Sequence, residues 1–223
     1  MTCIIFDCDG VLVDSEIITT KYFIKHLHDI GYDISIEDAI KRFTGLSDKI
    51  VYEAISKETG ILFTPEQIDY IQNQVHHSLH TEVSAITGMP ELLAILERNS
   101  NQLCVASSGT LDKINKSLNV TGLISYFHDQ NIFSVQNVHK GKPAPDLFLF
   151  AAKKMGYAPK ECIVVEDSLA GIEAAIAANM RVIGFLGGSH AHYDWYKIKM
   201  STYNIAIAQN SVELSKILSE FIE

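Results

Sequence analysis

The sequence predicts an α/β fold: a doubly wound parallel sheet with an all-α block inserted behind its first strand. Three observations predict it. A short apolar run, Cys3-Ile4-Ile5-Phe6, gives way to Asp7 and Gly10, which reads as a parallel strand buried on both faces. Residues 15–82 carry helical spacing and no convincing strand. From Ile86 onward, strand-like runs alternate with helical ones, the rhythm of a parallel sheet covered by helices on both faces.

Taken in order, Ile17, Ile18, Phe23, Ile24 and Leu27 recur at helical spacing behind the first strand, and Gly31 suits the stop. Further helices are predicted at 36–43 and 47–59, the latter closed by Gly60. Thr64-Pro65-Glu66-Gln67 supplies an N-cap, a proline at the first helical position and a capping box. The helix it opens carries Ile68, Ile71, Val75 and Leu79. Strands are then expected at 102–106, 132–134, 163–165, 181–185 and 204–208. Helices are expected at 90–98, 111–118, 146–155, 169–178 and 212–221, with Gly156 and Asn179 as stops. The aromatic run Tyr193, Trp195, Tyr196 reads as helix packing. Residues 1–14 and 83–223 would form a Rossmann-like core, and 15–82 a helical cap over the sheet's carboxyl edge.

Composition narrows the function. With 47% hydrophobic and 20% charged residues, the 223-residue chain reads as a soluble globular protein. The formal charge is −9 and no basic block occurs, which argues against a nucleic-acid partner. No apolar run approaches a membrane span, and Asp7 arrives too early for a signal peptide. Cys3, Cys104 and Cys162 fall in predicted buried strands, Cys8 falls among acids, and no Cys-x-x-Cys occurs. A reducing cytoplasm is the expected location.

Chemistry concentrates at strand ends. Asp7 and Asp9 bracket Cys8 just past the first strand, and residues two apart in extended chain point the same way. Both carboxylates would face the place where open α/β sheets build ligand sites. Crowded carboxylates repel unless a cation joins them or one holds a proton. The pair therefore fits a hard metal with one Asp free as nucleophile, or a turn with two solvated acids. Ser107-Ser108-Gly109-Thr110 opens a helix after the second strand, offering N–H groups and hydroxyls to a phosphate or merely an N-cap. Lys142 sits between Gly141 and Pro143, with Pro145 close behind; stiffened backbone lowers the entropy cost of fixing its ammonium, although a solvated turn lysine fits too. Ile163-Val164-Val165 ends in Glu166-Asp167-Ser168, where one acid can hold metal while the other braces it, or the group can be a helix cap.

Together these stretches resemble the haloacid dehalogenase superfamily. The motifs that carry the resemblance are Asp7-Cys8-Asp9-Gly10-Val11-Leu12-Val13-Asp14-Ser15, Ser107, Gly141-Lys142-Pro143-Ala144-Pro145-Asp146 and Glu166-Asp167-Ser168-Leu169-Ala170-Gly171-Ile172. The last two look like the β-phosphoglucomutase-like branch, which holds many sugar-phosphate phosphatases. The resemblance covers the whole chain. It implies Asp7 as nucleophile, Asp9 as general acid/base, and Ser107 and Lys142 on the transferring phosphoryl group. It implies Mg²⁺ held by Asp7, the Asp9 carbonyl and Asp167, with Glu166 as ligand or brace. Phosphoryl transfer needs positioning and charge neutralisation more than covalent help, which suits these residue types.

The activity expected from the resemblance is Mg²⁺-dependent hydrolysis of a sugar phosphate or sugar-acid phosphate, phosphogluconate-like, through an aspartyl phosphate. Mutase-type phosphotransfer is the alternative, and a non-catalytic phosphate-binding module ranks third. Family mutases carry a histidine, a cap arginine and a Ser-Lys pair where this chain has Thr19, Asp48 and Gly109-Thr110. An acid at the cap position would repel a second phosphate. Ser108 and Gly109, with Arg42, Gly45 and Ser47 of the cap, are expected on the substrate side, although Arg42 also suits a helix-end cation. His190, after Gly187-Gly188, is expected near the cleft rim. A small phosphorylated metabolite is the expected partner, with no nucleic acid or membrane, and a monomer or weak dimer the expected assembly.

Overall fold

The structure, a computed structural model, describes residues 2–222 apart from 45, 47 and 100. Strands β1 (Cys3–Phe6), β2 (Gln102–Ser107), β3 (Ile132–Ser134), β4 (Cys162–Glu166), β5 (Arg181–Phe185) and β6 (Ala206–Ala208) form one sheet in the order β3-β2-β1-β4-β5-β6. Every neighbouring pair is parallel. Residue alternation divides the core between the two faces. Ile4, Phe6, Val105, Ile163 and Val165 join one apolar layer, while Cys3, Ile5, Cys104, Ala106 and Val164 join the other. That is why the strands read as unbroken apolar runs: both faces are covered.

Helices α1 (Glu16–Asp29), α2 (Ile36–Phe43), α3 (Asp48–Thr59) and α4 (Pro65–Glu82) follow β1 as an all-helical block. Ser35 caps α2 by accepting from the Asp38 N–H. Thr64 and Gln67 form the capping box read from the sequence, each side chain taking the other's backbone N–H. Ile24, Leu27, Ile34, Ala39, Val51 and Ile55 make an apolar cluster of the block's own. The remaining helices are α5 (Met89–Arg98), α6 (Leu111–Val120), α7 (Asp146–Met155), α8 (Leu169–Ala177), α9 (Asp194–Ser201) and α10 (Ser211–Ile222).

Three strands differ from expectation at one end or both: β2 runs on to Ser107, and β4 starts one residue early at Cys162. β4 runs on to Glu166, whose backbone pairs with Gly184, and β6 begins only at Ala206. The aromatic run lies at the start of α9 and buries Tyr196. No helix among the described residues is long and apolar enough to cross a membrane. What matters for the site is the strand order. Successive strands are laid down in opposite directions across the sheet on either side of β1, whose neighbours are β2 and β4, and ligands of open α/β sheets bind at such a switch, outside the carboxyl ends.

Candidate active site

Four carboxyl ends deliver the site. Asp7 follows β1 directly, and its N–H reaches the Val165 carbonyl at 3.0 Å, fixing it to the end of β4. Beyond it the chain leaves the strand and turns. The Gly10 N–H bonds the Val13 carbonyl, and the Leu12 and Val13 N–H groups bond the Cys8 carbonyl. Asp9 is therefore aimed by a turn and not by strand alternation. Gly10 is required twice over: its φ is +79°, and a Cβ there would lie 2.1 Å from Asp167 Oδ2.

Lys142 Nζ bridges Asp7 Oδ1 at 2.6 Å and Glu166 Oε2 at 2.7 Å, with all three side chains buried. Burial alone would discharge the ammonium, but Asp7 and Glu166 outweigh it and hold Lys142 charged. The other oxygen of Glu166 accepts from the Ser168 N–H and hydroxyl. Gly171 lets that carboxylate lie against α8, since a Cβ would sit 2.0 Å from it. Asp9 Oδ1 accepts from Ser15 Oγ at 2.5 Å and lies 3.0 Å from Lys113 Nζ, and Oδ2 lies 3.5 Å from Ser107 Oγ. Burial would raise Asp9, yet Lys113 and Ser15 prevail and hold its carboxyl below the usual range. Asp7, Asp9, Ser107, Ser108, Gly109, Lys142 and Asp167 line one cleft of about 230 Å³.

Asp7, Glu166 and Asp167 each offer an oxygen within 4.8 Å of the others. Burial pushes Asp7 and Asp167 upward, and neighbouring Glu166 adds to both. Three buried acids thus share one lysine, and Asp167 Oδ2 has no hydrogen-bond partner. A buried, all-oxygen set short of positive charge suits a hard divalent cation.

Two expectations are corrected. His190 is not at the rim: it is fully buried, with Nε2 2.8 Å from Asp167 Oδ2 but off the axis of a hydrogen bond. Glycine at 10 and 188 leaves the hollow for its ring, which packs edge-on against Tyr196. Burial lowers its affinity for a proton. Arg42 turns away from the cleft, donating to Tyr32 at 2.6 Å and pairing with Glu58. It stands on the exposed face of α2, so Tyr32 of the α1–α2 loop and Glu58 of α3 capture it. Gly45 and Ser47 lie outside the described residues.

The sequence reading missed Lys113 and Glu16, which also line the cleft. Lys113 is the third residue of α6, directly above the Ser107 loop, and Thr110 caps its N–H; helix geometry from the cap onward would have flagged it. Ser15, read only as part of a motif, is a buried donor to Asp9.

A family model described as haloacid dehalogenase-like hydrolase matches residues 4–185. The chain is 31% identical over 188 residues to the 6-phosphogluconate phosphatase of Escherichia coli, covering 84% of this chain and 83% of that one. It is 28% identical over 200 residues to the β-phosphoglucomutase of Bacillus subtilis, covering 82% and 83%. Among solved structures, a conserved haloacid dehalogenase-like protein of unknown function from Agrobacterium tumefaciens matches with a TM-score of 0.84 at 33% identity, across 100% of both chains. The chain belongs to the haloacid dehalogenase-like hydrolase family.

Proposed function

We propose that this phosphoric monoester hydrolase removes phosphate from a sugar phosphate or sugar-acid phosphate, with Mg²⁺, through a phosphoaspartate at Asp7. The observation that carries the reading is the bridge of Lys142 between Asp7 and Glu166, with Asp9 and Ser107 facing the same cleft. A carboxylate beside a fixed ammonium is positioned for attack while the cation matches charge on the incoming phosphoryl oxygens. Asp7 attacks phosphorus as the ester oxygen leaves, and Asp9 gives that oxygen its proton. Water then attacks the phosphoaspartate, Asp9 takes the water's proton, and phosphate departs with Asp7 restored. Lys142 and Ser107 hold the phosphoryl oxygens throughout.

Asp9 is held as a carboxylate by Lys113 and Ser15, the form needed for the second step. Its acid role in the first requires a proton on Asp9, with Lys113 turning from it to the phosphoryl oxygens. Asp7, Asp167 and the Asp9 carbonyl would hold Mg²⁺, which supplies positive charge to the phosphoryl oxygens. Glu166 acts as brace, because Lys142 and Ser168 occupy its oxygens. The α1–α4 block (residues 15–82) serves as a cap over a core of 1–14 and 83–223. Four buried free cysteines support a cytoplasmic location, and the enzyme works as a monomer or weak dimer.

Water is the acceptor rather than a second sugar hydroxyl. The Thr110 hydroxyl, where a mutase needs a grip on its second phosphate, is engaged in capping α6. A panel of phosphate monoesters, assayed for released phosphate with and without Mg²⁺, tests the reading; 6-phosphogluconate and β-glucose 1-phosphate belong in it. Phosphate release that requires Mg²⁺ is expected. Glucose 6-phosphate forming from β-glucose 1-phosphate faster than free phosphate would overturn it in favour of a mutase.

A further inference from the structure

Above the catalytic cleft, a second cavity of about 110 Å³ opens inside the helical block. The two share Glu16, Leu46, Gln72 and Lys113 in their walls, so they adjoin. Its walls are chiefly apolar, with Phe23, Phe43, Val51 and Ile71 among them. One water needs about 10–15 Å³, so the chamber has room for a group of several heavy atoms. Two hydroxyls in its wall, Thr19 Oγ1 and Thr44 Oγ1, are buried without any hydrogen-bond partner. Buried polar groups are normally satisfied. Two orphans in one cavity, next to the reacting groups, mark a place where a ligand completes the bonding.

Charge decides what kind of ligand. Among the described residues, the charged groups of this wall are Glu16 and Lys113, one of each sign. Lys113 already lies 3.0 Å from Asp9. With Lys113 committed to Asp9 or to the phosphoryl oxygens, a carboxylate or second phosphate entering the chamber would meet aromatic and aliphatic carbon and the Glu16 carboxyl. Burying a charge without its own partner is costly. A neutral polyol or sugar meets no such cost: its hydroxyls bond Thr19 and Thr44, and its C–H faces pack on the rings.

We infer that this chamber receives the organic part of the phosphate ester, and that it selects an uncharged, hydroxyl-bearing group over one ending in a carboxylate or second phosphate. The inference rests on the phosphatase reading above and narrows its substrate to neutral sugar or polyol phosphates. It parts this chain from the activity named for the Escherichia coli relative.

Sorbitol 6-phosphate and 6-phosphogluconate make a matched pair, equal in length and differing at the far end. Their equilibrium binding to the Asp7→Asn protein, with Mg²⁺ present, is measured by calorimetry, so the ranking is read whether or not turnover occurs. Hydrolysis of acetyl phosphate by the unmodified enzyme tests the phosphatase reading separately. Sorbitol 6-phosphate should bind at least tenfold more tightly. Each threonine hydroxyl contact is worth about fivefold, so the near-isosteric pair Thr19→Val and Thr44→Val together should weaken sorbitol 6-phosphate binding by about 25-fold. Equal or tighter binding of 6-phosphogluconate overturns the inference. So does sorbitol 6-phosphate binding that is unchanged by loss of both hydroxyls.

Discussion

Lys142 and Arg42 are both cations clasped by two neighbours, and they lead opposite lives. Lys142, about 1% exposed, is held by Asp7 and Glu166 at the sheet edge, with both partners buried. Arg42 is held by Glu58 and Tyr32 on the outside of the helical block, with its side chain 36% and that of Glu58 50% exposed. Water screens the second pair almost completely, so its net worth is small. The first pair sits where charge cannot be left uncompensated, and removing one member exposes the others to the full cost of burial. The difference teaches where this fold stores chemistry: at strand ends roofed by helices, not at ion pairs in general.

The largest effect should come from the buried set. Asp7→Asn keeps shape but removes the proposed nucleophile, so phosphate release should fall to background while the circular dichroism spectrum stays that of the parent. Excess chelator should do the same to the parent enzyme. Parent-level turnover in either case means that the buried pair serves structure only.

Lys142→Met comes next. It leaves Asp7 and Glu166 buried beside Asp167 with no cation, and breaking a buried pair in this way costs about 3–5 kcal/mol. Urea unfolding in chelator should show a loss of that order, and turnover should be abolished. A loss below about 1 kcal/mol would place Lys142 with Arg42 and dissolve the contrast.

Much of this contrast was legible in the sequence, and the reason is local. Asp7, Ser107, Glu166 and Asp167 each adjoin an apolar run that can only be a buried strand, so parallel pairing must bring them to one edge. Prolines at 143 and 145 announced a fixed lysine. What stayed hidden depends on contacts between segments far apart in the chain. Glu58 captures Arg42 from another helix, and no pattern around Arg42 signals it. His190 goes inside because Gly10, 180 positions earlier in the numbering, leaves a hollow over Asp167. No pattern in the sequence says that Lys142 and Ser168 occupy both oxygens of Glu166.

Asp9 occupies the middle ground, buried but paired with Lys113, whose side chain is itself 17% exposed. Asp9→Asn should slow hydrolysis of sugar phosphates by about 10²–10⁴-fold, the usual worth of general acid/base help. Hydrolysis of a nitrophenyl phosphate should suffer much less, because that leaving group needs little protonation. Steady-state rates on the two substrates decide it. Equal losses on both would assign Asp9 to holding the metal or the fold.

The smallest effect should belong to Arg42. In Arg42→Ala the Glu58 pair is lost, at a cost of about 0–1 kcal/mol for an exposed pair. The guanidinium also lies 4.8 Å from the centre of the Phe43 ring, a contact worth about 0.5–1 kcal/mol at an exposed site. Phe43 itself faces the chamber, so the ring stays seated by its apolar neighbours when the cation goes. Stability should therefore drop by no more than about 1–2 kcal/mol, and kcat/KM on any phosphate ester should remain within twofold of the parent. A tenfold rise in KM with kcat intact would mean that Arg42 leaves Glu58 and reaches the substrate. An exposed pair would then be part of the binding site, and burial alone would no longer mark functional charge in this protein.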